Sequence, residues 1–178
     1  MKRITRDGMF AEVVLTIAKR CTCPRPEEIM GRVGAILVQQ GRIISTGYAG
    51  SPKGLDHCQD AGCSMLDGHC VRTIHGEHNA ILQAATVSGT NTQGSTMYTK
   101  YSPCIHCTKY IIAAGIKKVV MGKVYRNSKV VDFLKQAGIE VEVYQENKEW
   151  QEQLQEIFGS EIEVMKPDEG DVEMKTNK

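Results

Sequence analysis

The sequence predicts an α/β fold, a mixed β-sheet held between layers of helix. Three features point to it. Residues 32–39 and Arg42–Tyr48 read as two strands joined by a tight turn at Gln40-Gly41. Beyond them, strand-patterned and helix-patterned segments alternate, as they do when helices cover a sheet. Helical segments close at Gly115 and Gly138, the residue type best suited to a left-handed helix end.

In chain order, residues 8–20 place Phe10, Val13, Val14, Ile17 and Ala18 on one helical face, with Asp7 as the expected N-cap. Residues 49–74 are rich in Gly, Cys, His and Asp and read as a long ordered loop. A helix is expected over 76–87, turning Ala80, Ile81, Ala84 and Ala85 to the core and ending near Gly89. Residues 96–100 form a short strand, 104–114 a second helix and 117–123 a strand with a Val-Val-Met centre. Lys129–Gln136 is a further helix, and 139–144 alternates apolar and acidic residues as a strand does. Trp150, Leu154, Ile157 and Phe158 make one apolar stripe. The expected organisation is one domain over 1–145, an amphipathic helix over 146–160 packed on it or on a neighbouring subunit, and a loose polar tail over 161–178.

Composition narrows the class. A chain of 178 residues, 41% apolar and 24% charged, suits one globular domain. No run approaches the roughly 18 apolar residues that a membrane span needs. The charged start, Met1 to Gly8, has no apolar signal core behind it, so the expected compartment is the cytoplasm. A net charge of +1 gives no electrostatic case for a polyanion, and no nucleic-acid partner is expected. Seven cysteines, an odd number, disfavour a disulfide framework and point to metal or buried thiols.

Two short stretches carry the chemistry: His75-Gly76-Glu77 and Pro103-Cys104-Ile105-His106-Cys107. Together they read H-x-E … P-C-x-x-C, the signature of zinc-dependent nucleobase deaminases. His75, Cys104 and Cys107 offer zinc three corners of a tetrahedron and leave the fourth for water, which the metal acidifies. Glu77, two residues from His75, sits beside the metal without ligating it and is the expected proton shuttle. Both halves open helices, whose N-terminal partial positive charge favours thiolate. A structural zinc knuckle is the plainer alternative, but it needs a fourth protein ligand. Only His106 is nearby, and residues inside Cys-x-x-Cys usually point away.

Wider stretches carry a resemblance. They are residues 43–48 (Ile-Ile-Ser-Thr-Gly-Tyr), 50–55 (Gly-Ser-Pro-Lys-Gly-Leu), 68–75 (Gly-His-Cys-Val-Arg-Thr-Ile-His), 77–81 (Glu-His-Asn-Ala-Ile) and Ser102-Pro103-Cys104. Over roughly 8–145 the chain resembles deoxycytidylate deaminases of bacteria and bacteriophages. The resemblance implies the cytidine-deaminase fold, a five-stranded mixed sheet sandwiched by helices in three layers. It implies hydrolysis of dCMP to dUMP and ammonia, a homo-oligomer of hexamer type, and control by dCTP as activator and dTTP as inhibitor, with Mg2+ at the triphosphate. It implies substrate contacts from Asn79, Ser102, Tyr125 and Arg126. It also implies a nucleotide or effector loop at Tyr48, Ala49, Gly50 and Ser51. From the residues alone, Tyr125 is more often a packing or surface aromatic, and Asn79 reads also as a loop tie.

Two departures stand out. The family usually has Ala where this chain has Gly76, which implies a roomier pocket floor. It usually has Gly-Tyr-Asn-Gly where Ala49 stands, so one amide that would read a sugar hydroxyl or an effector is gone. Both open the site to dCTP as a second substrate.

Cys23, Cys58, Cys63 and Cys70, with Cys21, His57 and His69 nearby, form a second group. Their spacing is not a standard finger, and reduced buried thiols are the alternative. Relatives with a structural zinc in this region imply a second Zn2+ here, pinning the long loop. Arg25, Arg32, Lys53, Arg72 and Arg126 are candidate phosphate ligands or plain surface charges. Two rival functions remain. A polynucleotide or tRNA deaminase would need a basic aromatic groove, which 6% aromatic residues do not supply. A non-enzymatic zinc or nucleotide sensor would have no need of Glu77.

Overall fold

The computed structural model describes residues 3–23, 32–66, 69–86, 90–124 and 129–144. The apolar stripe at 150–158 and the tail lie outside them, as do Tyr125 and Arg126.

The chain opens with helix α1 (Arg6–Ala18). Its N-cap is Thr5, whose hydroxyl accepts from the Gly8 amide at 3.1 Å, and not the expected Asp7. Both are good capping residues, but the helix starts one residue before Asp7. Asp7 is thereby freed to accept a hydrogen bond from the Tyr98 hydroxyl at 2.5 Å.

Strands β1 (Gly34–Gln39) and β2 (Arg42–Tyr48) follow as the expected antiparallel hairpin. Gln40 and Gly41 both have positive φ, 52° and 73°, as a two-residue turn between twisted strands requires. The long loop contains a short helix α2 (Cys58–Ala61) and a two-stranded ribbon, β3 (Met65–Leu66) and β4 (His69–Cys70). A bridge pairs Gly50 with Ile74. Then come α3 (Gly76–Thr86), β5 (Thr96–Tyr101), α4 (Ile105–Ala113), β6 (Lys118–Lys123), α5 (Lys129–Gln136) and β7 (Glu140–Val143).

The main sheet has the order β2-β1-β5-β6-β7. β1 runs antiparallel to both neighbours, while β5, β6 and β7 are parallel, so the sheet is mixed as expected. Strand alternation sorts its residues into two cores. Ile36, Val38, Tyr98 and Val120 pack with Phe10 and Val14 of α1. Ala35, Leu37, Met97, Val119 and Met121 pack on the other face with Ala80 and Ala84 of α3, Ile111 of α4 and Leu134 of α5. Three layers result, with α1 alone on one face among the described helices.

α3 lies unusually close to β2. A Cβ on Gly47 would stand 2.2 Å from the Gly76 carbonyl oxygen and 2.3 Å from the Ala80 nitrogen. Only a residue without a side chain allows this approach. It brings the start of α3 against the sheet, where the chemistry lies.

Candidate metal centre and active site

His75 immediately precedes α3, and Cys104 caps α4. β5 leads directly into Cys104, so the sheet sets one helix start beside the other. The His75 Nδ1 lies 3.4 Å from Cys104 Sγ and 3.6 Å from Cys107 Sγ. All three ligand atoms fall within 4.8 Å of one another, the spacing that one tetrahedral zinc imposes on N and S ligands. His106 is exposed and no fourth protein group joins them among the described residues. The donor set therefore fits a zinc with an open position, not a closed structural knuckle.

Electrostatics supports this. The hydrogen bond from Cys107 holds the Cys104 thiol far below its ordinary range, to about 3, helped by His75 and against the effect of burial. Cys107 is pushed up by the same shared hydrogen bond and by burial, while the His78 amide donates to its sulfur and pulls it down. One thiolate is thus ready, and a cation would take the place of the second thiol's proton.

Glu77 is 4% exposed. Burial raises its carboxyl above the usual range, and the neighbouring His75 lowers it. A carboxyl pushed toward neutrality beside a metal triad has the properties of a proton carrier. Its Oε1 accepts from the Thr99 hydroxyl at 3.4 Å. Thr99 belongs to no motif in the sequence; its only signal there is a polar residue on a strand otherwise facing the core.

The other candidates divide. Asn79 donates its Nδ2 to the Tyr48 carbonyl at 3.0 Å, so the loop tie is formed. Ser102 is buried, its amide bonded to the Lys123 carbonyl at 2.8 Å. Ala49 is fastened on both sides, its amide to Val33 and its carbonyl to the Thr22 amide, each at 3.1 Å. Its methyl packs with Cys21, Cys23, Val33 and Tyr101. Gly50 exchanges two backbone bonds with Ile74, tying this loop to the residue before His75. The Ser51 hydroxyl and the Arg72 Nε are buried without a partner among the described residues. Arg32 is spent on the Lys19 carbonyl at 3.2 Å.

Gly76 corrects an expectation. A Cβ there would point at the Gly47 and Val33 carbonyl oxygens at 3.4 Å. The missing methyl therefore faces the sheet backbone, and its absence does not widen a pocket floor.

The second cysteine group also assembles. Cys23, Cys58 and Cys63 lie within 4.8 Å of one another, and Cys58 Sγ is 3.6 Å from Cys70 Sγ. Burial, then the hydrogen bonds its thiol donates to Cys70 and Cys63, push Cys58 up to about 12. Burial also raises Cys70, but the Arg72 amide, Cys58, Thr73 and the Ser64 amide outweigh it and bring it down to about 7. Cys21 is buried elsewhere, its thiol donating to the Cys23 carbonyl. His57 gives its Nδ1 to Thr22 at 3.1 Å. Four thiols thus converge, and neither Cys21 nor His57 Nδ1 is among them.

Among the described residues no helix is long and apolar enough to cross a membrane.

Comparison with known proteins agrees with this geometry. The chain is 43% identical over 143 residues to ComE operon protein 2 of Bacillus subtilis (strain 168), covering 80% of the chain and 72% of that protein. It is 37% identical over 150 residues to the deoxycytidylate deaminase of Enterobacteria phage T4, covering 62% of the chain and 77% of that enzyme. The crystal structure of dCMP deaminase from the cyanophage S-TIM5, in complex with dCMP and dUMP, matches with a TM-score of 0.68 at 31% identity, over 80% of the chain and 99% of that structure. Residues 5–123 match the cytidine and deoxycytidylate deaminase zinc-binding region, a stretch that holds His75, Glu77, Cys104 and Cys107. The chain belongs to the cytidine and deoxycytidylate deaminase family and is a zinc-dependent hydrolytic deaminase.

Proposed function

We propose that this enzyme hydrolyses dCMP, with one water, to dUMP and ammonia. The carrying observation is the convergence of His75, Cys104 and Cys107 with the sealed carboxyl of Glu77 beside them. A zinc ion held by those three residues supplies Lewis acidity that lets water lose a proton near neutral pH. Glu77 takes that proton, passes it to the ring nitrogen of the cytosine and then assists the departure of ammonia. Burial of Glu77 keeps bulk water from competing for the proton. Ammonia release from dCMP, CMP, deoxycytidine and dCTP, with Glu77→Ala as control, tests the reading. Equal activity in both proteins rejects it.

Finer points belong to the same proposal. Asn79, Ser102, Tyr125 and Arg126 contact the substrate. For Asn79 this leaves its Oδ1 and the second N–H of Nδ2, since one N–H holds Tyr48. Tyr48, Ala49, Gly50 and Ser51 form a nucleotide loop through which dCTP, with Mg2+, activates and dTTP inhibits. The assembly is a homohexamer that works in the cytoplasm. Conversion of dCTP to dUTP is a second activity that the apolar setting of Ala49 favours, since an alanine there offers no amide to read a nucleotide. A second Zn2+ sits at Cys23, Cys58, Cys63 and Cys70 and pins the loop. The convergence of three other thiols on Cys58 supports it. Two zinc ions per chain are expected, and one would end that part.

A further inference from the structure

The geometry points to Thr99 as a positioning residue that aims the Glu77 carboxyl at the reacting base; this rests on the deaminase reading above. β5 is the central strand of the sheet, and Thr99 is paired on both sides, with Ala35 of β1 and Met121 of β6. Pairing on both sides fixes the backbone from which the Thr99 hydroxyl projects. Thr99 is 2% exposed, and its i−2 neighbour Met97 belongs to the apolar core. A hydroxyl buried there costs free energy unless it finds a partner. Its partner is Glu77 Oε1, at 3.4 Å.

That distance is long for an O–H···O bond, as catalytic contacts are before substrate tightens them. The Glu77 amide also favours the charged carboxylate, drawing it toward its own backbone. Glutamate has three side-chain torsions, so a second anchor is needed to set the outer one. A hydroxyl suits a proton carrier because it donates to the carboxylate and accepts from the acid. The contact therefore survives both halves of the proton's journey.

The test compares the zinc-loaded full chain with Thr99→Val, which keeps the shape and removes the hydroxyl, and Thr99→Ser, which keeps the hydroxyl. In Thr99→Val, kcat for dCMP is expected to fall roughly tenfold to hundredfold with KM within about twofold. Thr99→Ser restores most of the rate. Calorimetry supplies a readout independent of turnover. The probe is a ring-hydrated cytosine-nucleotide analogue with a hydroxyl on the former amino-bearing carbon. Thr99→Val weakens its binding by a similar factor while dUMP affinity holds, because only the analogue engages the aimed carboxyl. Metal content stays at the wild-type value. If Thr99→Val does not fold, Thr99→Ala carries the same comparison.

Wild-type kcat in a zinc-replete Thr99→Val protein overturns the inference. So does equal loss of analogue and dUMP affinity, or failure of Thr99→Ser alongside Thr99→Val. A wild-type chain that releases no ammonia from any cytosine nucleotide overturns this inference and the deaminase reading together. A wild-type chain that does so, matched by Thr99→Val, removes only the role of Thr99.

Discussion

Asn79 on the catalytic helix donates its side-chain amide to the backbone carbonyl of Tyr48 at 3.0 Å. One hydrogen bond thus joins the helix that carries Glu77 to the end of β2. Asn79→Ala leaves that carbonyl without this donor, at a cost of about 1 kcal/mol. Chemical denaturation measures it, through a lower midpoint at unchanged slope. Full stability would show that water replaces the amide without loss.

Glu77→Gln keeps the shape of the side chain and removes its proton chemistry. Turnover of dCMP is expected to drop by about 10²- to 10⁴-fold. Bound zinc, measured by elemental analysis, should not change, since Glu77 is not among the three clustered ligand atoms. Loss of zinc with the carboxylate would make Glu77 a ligand.

The two thiol groups are separable by substitution. Cys104→Ser is expected to abolish activity and one zinc. Cys58→Ser is expected to remove the other zinc and lower the thermal midpoint, because Cys58 stands between Cys70 and the other two thiols. The same stoichiometry in both variants and wild type would contradict two separate sites.

Gly47 and Gly76 should respond in opposite ways to alanine. At Gly47 a Cβ meets backbone atoms of Gly76 and Ala80 at 2.2 and 2.3 Å, and neither can move without parting α3 from the sheet. Gly47→Ala should therefore yield little folded protein. At Gly76 the nearest atoms stand at 3.4 Å, an ordinary contact, and at this first helical position alanine gains only part of the roughly 1 kcal/mol it gains in a helix interior. Gly76→Ala should fold with an equal or higher melting temperature. Soluble yield and thermal unfolding of the pair decide the matter.

Alkaline pH should weaken the fold through Tyr98 and Tyr144. Burial and the hydrogen bond to Asp7 raise the Tyr98 hydroxyl above its ordinary value, and burial and the Tyr98 hydroxyl raise Tyr144. Both are acids that are neutral when protonated. Above the unfolded value of about 10, the unfolded chain releases these protons while the folded chain holds them. Stability therefore falls as pH rises past that value. Tyr98→Phe should flatten the decline in denaturation midpoints between neutral and alkaline pH. An unchanged slope would place the cause elsewhere.

Much of this was legible beforehand. The five main strands, the hairpin and the glycine closures follow from periods of two and 3.6 and from turn chemistry acting over a few residues. The ligand types were legible because His75 and Glu77, and Cys104 and Cys107, lie within one helical turn of each other. Asp7 was misread because Thr5 and Asp7 are both capable caps. The contact that decides between them, with Tyr98, spans 91 residues. Thr99 was missed for the same reason: its partner is 22 residues away on another element.

Short-range patterns carry the element order and the donors, an imidazole, two thiols and a carboxyl, that a zinc-dependent hydrolysis needs. Tertiary structure decided what these donors face. Register in the sheet places Thr99 under Glu77, the absence of a side chain at Gly47 lets α3 settle on β2, and that approach turns Asn79 to Tyr48 and Gly76 to the backbone of β1 and β2. Local propensities act over neighbouring residues, whereas these contacts depend on strand pairing and packing between segments far apart in the chain, which no short pattern encodes.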